Sequence, residues 1–321
     1  LPLILGTYRS DEIPDDVSDL NPDDYQSNTR PGAAYVIKAQ WEAQTTLSPA
    51  KAIPLRDLPL HPANIHYNTV GILRLGEMFA AGYVELTEND WRNLYVPYKD
   101  GEMPYRVMTP YDFDESERYP VIVSLHGGGG RGTDNQKQLK VWNEQLADEQ
   151  RRKDFPCYVL APQSTELWNE KHLKKIQAIV ADLPAVDMKR IYVMGHSMGG
   201  HGINILLQVD PHYFAAAAPS AGTGLSNDND FIEAKILKDI PVWAFHGDED
   251  SVCPYEPQQK LFSEMKTLGG NMKLTTFAGD GHGISGKFIT GADNGNTQLA
   301  SDHCDPEVDF MTWLFSQSLD D

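Results

Sequence analysis

The stretch RIYVMGHSMGG, residues 190–200, decides the fold because it places a serine between a strand and a helix. The apolar run at residues 190–194 is typical of a buried strand, and residues 200–207 continue as a helix. Ser197 therefore lies on a sharp strand-to-helix corner, the arrangement called a nucleophile elbow. Small residues are needed beside the serine because the corner forces strained backbone angles and a close approach of strand and helix. The pattern predicts an exposed serine hydroxyl that acts as a nucleophile.

A glycine-rich loop follows a second predicted strand, upstream of the elbow. Residues 119–125 (YPVIVSL) are typical of a buried parallel strand, and the loop HGGGG, residues 126–130, comes directly after it. Such a loop can point backbone N–H groups at a developing oxyanion. We expect the oxyanion donors to be the N–H groups of Gly128 and of Met198, the residue after the serine. His126 is interpreted as a support for the glycine loop.

An acid and a histidine follow two further predicted strands, downstream of the elbow. Residues 241–245 lead into a loop that contains Asp248 and Asp250, and residues 273–277 lead into a loop that contains His282. A serine hydroxyl needs a neutral imidazole to take its proton as it attacks an acyl carbon. A buried carboxylate then fixes the tautomer of that imidazole. We assign the base to His282 and the acid to Asp250, with Asp248 as the alternative on the same loop.

These motifs resemble those of carboxylesterases of the α/β-hydrolase superfamily, in particular the feruloyl esterases, polyhydroxybutyrate depolymerases and "predicted peptidases". The likeness runs from about residue 93 to the C-terminus. It is carried by the motifs HGGGGRGTDN from His126, APQ from Ala161, GHSMGG from Gly195, HGDEDSVCP from His246 and GDGHG from Gly279. The resemblance implies an α/β-hydrolase fold, with a mainly parallel central sheet flanked by helices. It also implies a Ser197, Asp250 and His282 triad, with Trp168 near the mouth of the acyl pocket as a substrate-binding residue or, alternatively, a packing residue.

The resemblance implies a serine carboxylic-ester hydrolase that acts through an acyl-enzyme on aryl, feruloyl or short-chain acyl esters, free or linked to a polymer. Alternatives are a polyester depolymerase and a serine peptidase of the prolyl-oligopeptidase type. A non-catalytic hydrolase-like binding protein would normally have lost a triad member, and all three are present. The sequence departs from the family at Cys253, where a valine is usual, and in a long polar insertion at residues 284–305. Both departures lie beside the site and bear on substrate range.

Competing motifs do not favour a cofactor or a metal. Residues 127–132 satisfy GxGxxG, but no clear strand ending in an acid follows at the distance that a dinucleotide site requires. Residues 281–287 imitate a phosphate loop, yet Phe288 stands where Ser or Thr must hold magnesium. The acidic stretch at residues 227–230 lacks the spacing of an EF-hand. We therefore expect no cofactor and no metal.

The composition is acidic and globular. With 27 Lys and Arg against 46 Asp and Glu, the net charge of −19 argues against binding to nucleic acid or anionic membranes. No run approaches the roughly 20 apolar residues of a membrane span. The charge fits a very soluble protein, and we suspect a secreted or periplasmic one. The oligomeric state is left open.

The organisation changes near residue 93, which divides an N-terminal accessory segment, 1–92, from a catalytic domain, 93–321. The accessory segment is predicted to pack against the catalytic domain as a buttress or to cap its cleft. It contains an acidic arm and two helix-like stretches, at residues 11–24, 33–47 and 70–81. In the catalytic domain, crossover helices are predicted at residues 141–151, 171–183 and 257–268.

Three cysteines do not make a disulfide framework. Cys253 follows the acid loop and Cys304 lies beyond the histidine loop. Because these segments are expected to converge, a single disulfide between the two is a candidate. Cys157 is interpreted as a small buried hydrophobe at a strand start.

Overall fold

A computed structural model describes residues 3–6, 38–39, 50–53, 58, 69–88, 90–98, 103–223, 225 and 232–319. Its contacts divide the chain into two compact units, Leu1–Asn93 and Leu94–Asp321. The predicted acidic arm, most of the predicted helix at residues 33–47 and the acidic stretch at residues 227–230 lie outside the described residues.

The N-terminal unit contains a two-stranded parallel sheet and a long helix. Strand β1 (Leu3–Gly6) pairs with β2 (Ala50–Ile53), and helix α1 spans Thr69–Glu88. The helix predicted at residues 70–81 is therefore confirmed, with extra residues at both ends.

The C-terminal unit is built on a nine-stranded sheet with the strand order β11-β10-β9-β8-β7-β5-β6-β4-β3. The six central strands, β5 to β10, run parallel, while β3, β4 and β11 pair antiparallel. The mainly parallel sheet is thus confirmed. Its strands are β3 (Tyr95–Tyr98), β4 (Tyr105–Met108), β5 (Tyr119–Leu125), β6 (Tyr158–Pro162), β7 (Val186–His196), β8 (Ala216–Ser220), β9 (Val242–Gly247), β10 (Met272–Phe277) and β11 (Gly295–Leu299).

Helices connect and flank these strands. They are α2 (Val141–Ala147), α3 (Glu149–Asp154), α4 (Glu170–Asp182), α5 (Met198–Val209), α6 (Ala234–Leu237), α7 (Glu256–Leu268) and α8 (Phe310–Ser316), with short 3-10 helices at Trp91–Leu94 and Gly128–Gly130. Two predicted crossover helices are confirmed as α4 and α7. The single helix predicted at residues 141–151 is wrong, because Asp148 leaves the helical conformation with ψ 130°. Its side chain accepts a hydrogen bond from the Arg151 N–H and starts α3 as a separate helix.

The core lies on both faces of the central strands. Strands β5, β6, β8 and β9 are buried at every position, as expected for parallel strands covered by helices. Helix α7 buries Leu261, Phe262 and Met265, and burying a side chain of this kind contributes about 1.5–3 kcal/mol. Because β5 to β10 are parallel, the loops that follow them emerge at one edge of the sheet, where ligands of open α/β sheets bind.

The cysteines are buried and free, so the predicted disulfide is wrong. The Cys304 Sγ lies 3.3 Å from the carbonyl oxygen of Met272, at the start of β10, whereas Cys253 follows the end of β9. Since β9 and β10 are parallel and in register, these positions lie at opposite ends of the strands, about 17 Å apart. The segments diverge because antiparallel β11 returns the chain to the amino end of the sheet.

Candidate active site

Ser197 occupies a strained corner between β7 and α5. Its φ of 58° and ψ of −122° lie outside the regions that L-residues normally adopt, at a cost of about 1–3 kcal/mol. Its N–H donates to the carbonyl of Ser220 at 2.8 Å, which ties the corner to β8. The predicted elbow is therefore present in the backbone.

Glycines make this corner sterically possible. A Cβ on Gly195 or Gly199 would come closer than 3.0 Å to the carbonyl oxygen of Leu125, and a Cβ on Gly200 would meet the carbonyl oxygen of Ser220 equally closely. Real Cβ atoms essentially never make such approaches. The glycines are therefore required by the contact of the elbow with β5 and β8, as the sequence argument expects.

Three side chains from distant parts of the chain form one hydrogen-bonded series. The Nε2 of His282 lies 2.9 Å from the Oγ of Ser197, and its Nδ1 lies 2.8 Å from the Oδ2 of Asp250. The side chain of His282 is 23% exposed, while that of Asp250 is fully buried. The series thus runs from the interior to a position that a substrate can reach.

Backbone donors hold Asp250 as an ionised acid. Its Oδ1 accepts the N–H groups of Val252 and Cys253 at 2.8 and 2.9 Å. Burial pushes its pKa up, but the hydrogen bonds from His282 and the two backbone N–H groups outweigh burial and hold the pKa below its ordinary value. The alternative acid, Asp248, is exposed, and it accepts the N–H of Gly279 at 2.7 Å instead.

The glycine loop lies against the serine. A Cβ on Gly127 would stand 3.3 Å from the Cβ of Ser197. Gly128 begins a 3-10 turn and Met198 begins α5, and the first N–H groups of a helix have no acceptor within it. Neither N–H donates to another group of the described residues. The N–H groups of both residues are therefore free to donate to a ligand.

The buried side chain of His126 holds the glycine loop in place. His126 is fully buried, with its Nδ1 2.8 Å from the Gly127 carbonyl oxygen, and its Nε2 accepts the N–H of Ser164 at 2.9 Å. Burial lowers its pKa to about 4, so the ring is neutral near pH 7. The interpretation of His126 as a support is consistent with these contacts.

Trp168 belongs to the same support rather than to the mouth of a pocket. It is 1% exposed, and its Nε1 donates to the carbonyl of His126 at 3.2 Å. Its ring fills the space left by Gly202, where a Cβ would overlap the indole. This corrects the substrate-binding expectation, because an interior ring offers no face to a ligand.

Sequence reasoning missed the part played by Gln163. Its Oε1 accepts the N–H of Asn135 at 2.6 Å, and its Nε2 donates to the carbonyl of Gly130 at 3.0 Å. It therefore fixes the far end of the glycine loop to the loop that follows β6. The signal was the polar residue that ends the APQ motif, directly after a buried strand.

Two further histidines surround the acid and the base. The ring of His196 lies 4.8 Å from that of His282, its Nδ1 lies 3.0 Å from the Oγ of Ser220, and burial lowers its pKa to about 3. His246 is completely buried, with its Nε2 3.4 Å from the Oδ2 of Asp250. Both therefore pack and hydrogen-bond beside the triad.

No metal or membrane feature is found in the part of the chain that the structure describes. Within these residues, no group of three or more His, Cys, Asp or Glu side chains is placed to hold a metal ion. None of the described helices has the length and apolar character needed to cross a bilayer.

A serine on an elbow, beside a glycine loop and at the carboxyl edge of a mainly parallel sheet, defines the α/β-hydrolase class. The family model described as "Dienelactone hydrolase family" matches residues 116–311. The chain belongs to the dienelactone hydrolase family, which confirms the α/β-hydrolase resemblance.

Two solved structures place the fold in a wider context. A thermostable esterase is 31% identical, with a TM-score of 0.54, and the match covers 70% of this chain and 63% of that one. An acylaminoacyl peptidase of Pyrococcus horikoshii is 19% identical, with a TM-score of 0.50 over 63% of this chain and 40% of that one. The second likeness concerns the fold alone. The chain spans less than two thirds of the length of either structure.

Proposed function

We propose that this protein is a serine carboxylic-ester hydrolase that works through an acyl-enzyme. The observation that carries the proposal is the continuous series of hydrogen bonds from Ser197 through His282 to Asp250. Membership of a hydrolase family supports it, as does the likeness to an esterase at 31% identity.

In the acylation step, the Nε2 of His282 takes the proton of the Ser197 hydroxyl while the Oγ attacks the ester carbon. Asp250 keeps the proton of the ring on Nδ1 and stabilises the imidazolium that forms. The N–H groups of Gly128 and Met198 donate to the oxyanion of the tetrahedral intermediate, and such a donor is worth about 3–4 kcal/mol. The imidazolium then protonates the departing alkoxide.

In the deacylation step, water takes the place of the alcohol. His282 removes a proton from the water as it attacks the acyl carbon, and the imidazolium returns that proton to Ser197 when the acyl bond breaks. The carboxylic acid leaves and the serine is restored. Every proton is carried by residues of this chain, so the cycle proceeds without a cofactor or metal.

Aryl, feruloyl or short-chain acyl esters are the proposed substrates, as free molecules or on a polymer. The proposal rests on the motif resemblance. Such polymer-linked esters lie outside cells, which fits the suspected export of the protein.

The N-terminal unit is proposed as an accessory to the catalytic unit. The acylaminoacyl peptidase likeness makes a peptide amide the alternative to test.

The test compares Ser197→Ala with the wild type on four substrates: methyl ferulate, p-nitrophenyl butyrate, a polyhydroxybutyrate film and a dipeptidyl amide. Ser263→Ala, which removes an exposed hydroxyl on α7, is the matched control. We expect both small esters to be hydrolysed, with turnover abolished in Ser197→Ala and unchanged in the control.

Undiminished ester turnover by Ser197→Ala would exclude the proposed nucleophile. Hydrolysis of the amide in preference to every ester would make the protein a peptidase. Preference for the film over both small esters would make it a depolymerase.

A further inference from the structure

His246 lies near the end of β9, and the mechanism above does not use it. The side chain is completely buried, and its Nε2 lies 2.8 Å from the carbonyl oxygen of Cys253 and 3.4 Å from the Oδ2 of Asp250. Both of these oxygens accept and neither donates, so Nε2 carries the proton. The Nδ1 has no hydrogen-bond partner within the described residues, and burial lowers the pKa of the ring. His246 is therefore a neutral imidazole with a single N–H aimed at the acid loop, residues 248–254.

We propose that His246 is a positioning residue for Asp250, whose N–H holds the acid loop so that the Oδ2 faces His282. This inference rests on the triad of the proposed function.

The contacts within the acid loop explain how one N–H can act on the whole triad. The Cys253 N–H donates to the Oδ1 of Asp250, while the Cys253 carbonyl accepts from His246. The thiol of the same residue lies close enough to Ser197 to interact with it. Cys253 thus joins the acid, the nucleophile and β9. If the hydrogen bond from His246 to the Cys253 carbonyl is lost, the carboxylate of Asp250 loses its fixed orientation. Ser197 then also loses its contact with Cys253.

The geometry also places two imidazoles on one carboxylate oxygen. His282 approaches the Oδ2 of Asp250 at 2.8 Å and His246 at 3.4 Å. His246 therefore lies beside the same charge that orients His282, and its removal changes the electrostatic surroundings of the acid.

The titratable groups that face His246 come from three loops. Asp250 and Cys253 belong to the acid loop, and Tyr255, also after β9, lies with its ring 5.4 Å from the imidazole. His196, at the end of β7, and His282 complete the set. A change of the pH profile that appears in a His246 variant and not in a control variant therefore reports on this cluster.

The experiment compares His246→Leu, which removes the N–H, with His246→Gln, whose side-chain amide keeps a donor. Each is made alone and in an Asp250→Asn background, with His212→Leu, an exposed histidine, as control. The measurements are kcat and KM for p-nitrophenyl butyrate from about pH 5 to 9, and thermal unfolding. For His246→Leu we expect kcat to fall about 10- to 100-fold, as when outer partners of functional histidines are removed, with little change in KM. The pH profile of kcat/KM should change, because the acid that orients the base has lost a neighbour.

His246→Gln should restore most of the lost kcat and the original pH profile, because it returns the donor. In the Asp250→Asn background, His246→Leu should cost less than about twofold, since the residue acts through the acid. A wild-type kcat and profile in His246→Leu would overturn the inference. An equal loss of kcat from His246→Leu in the wild-type and Asp250→Asn backgrounds would also overturn it. The same holds for a loss of kcat that accompanies reduced thermal stability and also appears in His246→Gln. Turnover retained in Ser197→Ala would instead overturn the proposed function.

Discussion

Two carboxylates on the same loop, Asp248 and Asp250, test the site at the scale of single residues. Asp250→Asn should lower kcat by about 10⁴-fold, because an amide favours the wrong tautomer of His282. Asp248→Asn should lower it by less than about tenfold, since Asp248 is exposed and bonds to the Gly279 N–H. Both variants should unfold at similar temperatures. Steady-state rates on a p-nitrophenyl ester measure both losses of kcat. A larger loss in Asp248→Asn than in Asp250→Asn would assign the acid to Asp248.

Some of these residues could be predicted from the sequence and others could not. Ser197 was predictable because the glycines that its strained corner requires stand beside it in the sequence, at residues 195, 199 and 200. The choice between Asp250 and Asp248 depends on which carboxylate the loop turns inward, and composition does not encode that. Trp168 was misassigned because a tryptophan after a strand end looks the same whether its indole faces a cleft or an interior glycine such as Gly202.

At the scale of elements, prediction succeeded where burial is strong. Strand β5 was predicted at its observed bounds because all seven of its residues are apolar or small and buried on both faces. Helices α4 and α7 were predicted as crossover segments between strands, and both are amphipathic. Burial constrains the residues all along such a strand or helix, so the pattern of apolar residues is visible in the sequence.

Prediction failed for elements whose sequences oppose their structure. Strand β8 has the sequence AAAPS, and alanine and proline disfavour strands, but the strand is held between β7 and β9. Strand β11 is exposed at every position and has a single large apolar residue, Leu299, so it has no alternation to detect, and it was taken as part of a polar insertion. Because β11 was not predicted, Cys304 was placed near Cys253. The strand reverses the direction of the chain and carries Cys304 to the other end of the sheet.

At the scale of the whole molecule, Lys273 links stability to pH. It is 2% exposed, its Nζ lies 3.5 Å from the ring centroid of Trp243, and it donates to the carbonyl of Glu307. Burial lowers its pKa to about 8, from 10.5 in the unfolded chain. Between these values the unfolded state binds more protons, so this residue makes stability rise with pH.

Lys273→Met removes that dependence. We expect the free energy of unfolding of the wild type, relative to the variant, to rise between about pH 8 and 10, by at most about 3 kcal/mol. Urea unfolding of both proteins at three pH values in this window measures the difference. A difference that stays constant, or falls, would contradict the assignment of a depressed pKa to Lys273.

The central claim is that one serine of the whole chain carries the acyl group. The most direct measurement is the mass of the intact protein after reaction with a fluorophosphonate, followed by peptide mapping. The account predicts a single adduct per chain, on Ser197, and no adduct in Ser197→Ala. An adduct on another residue, or an active wild-type protein that stays unmodified, would contradict it.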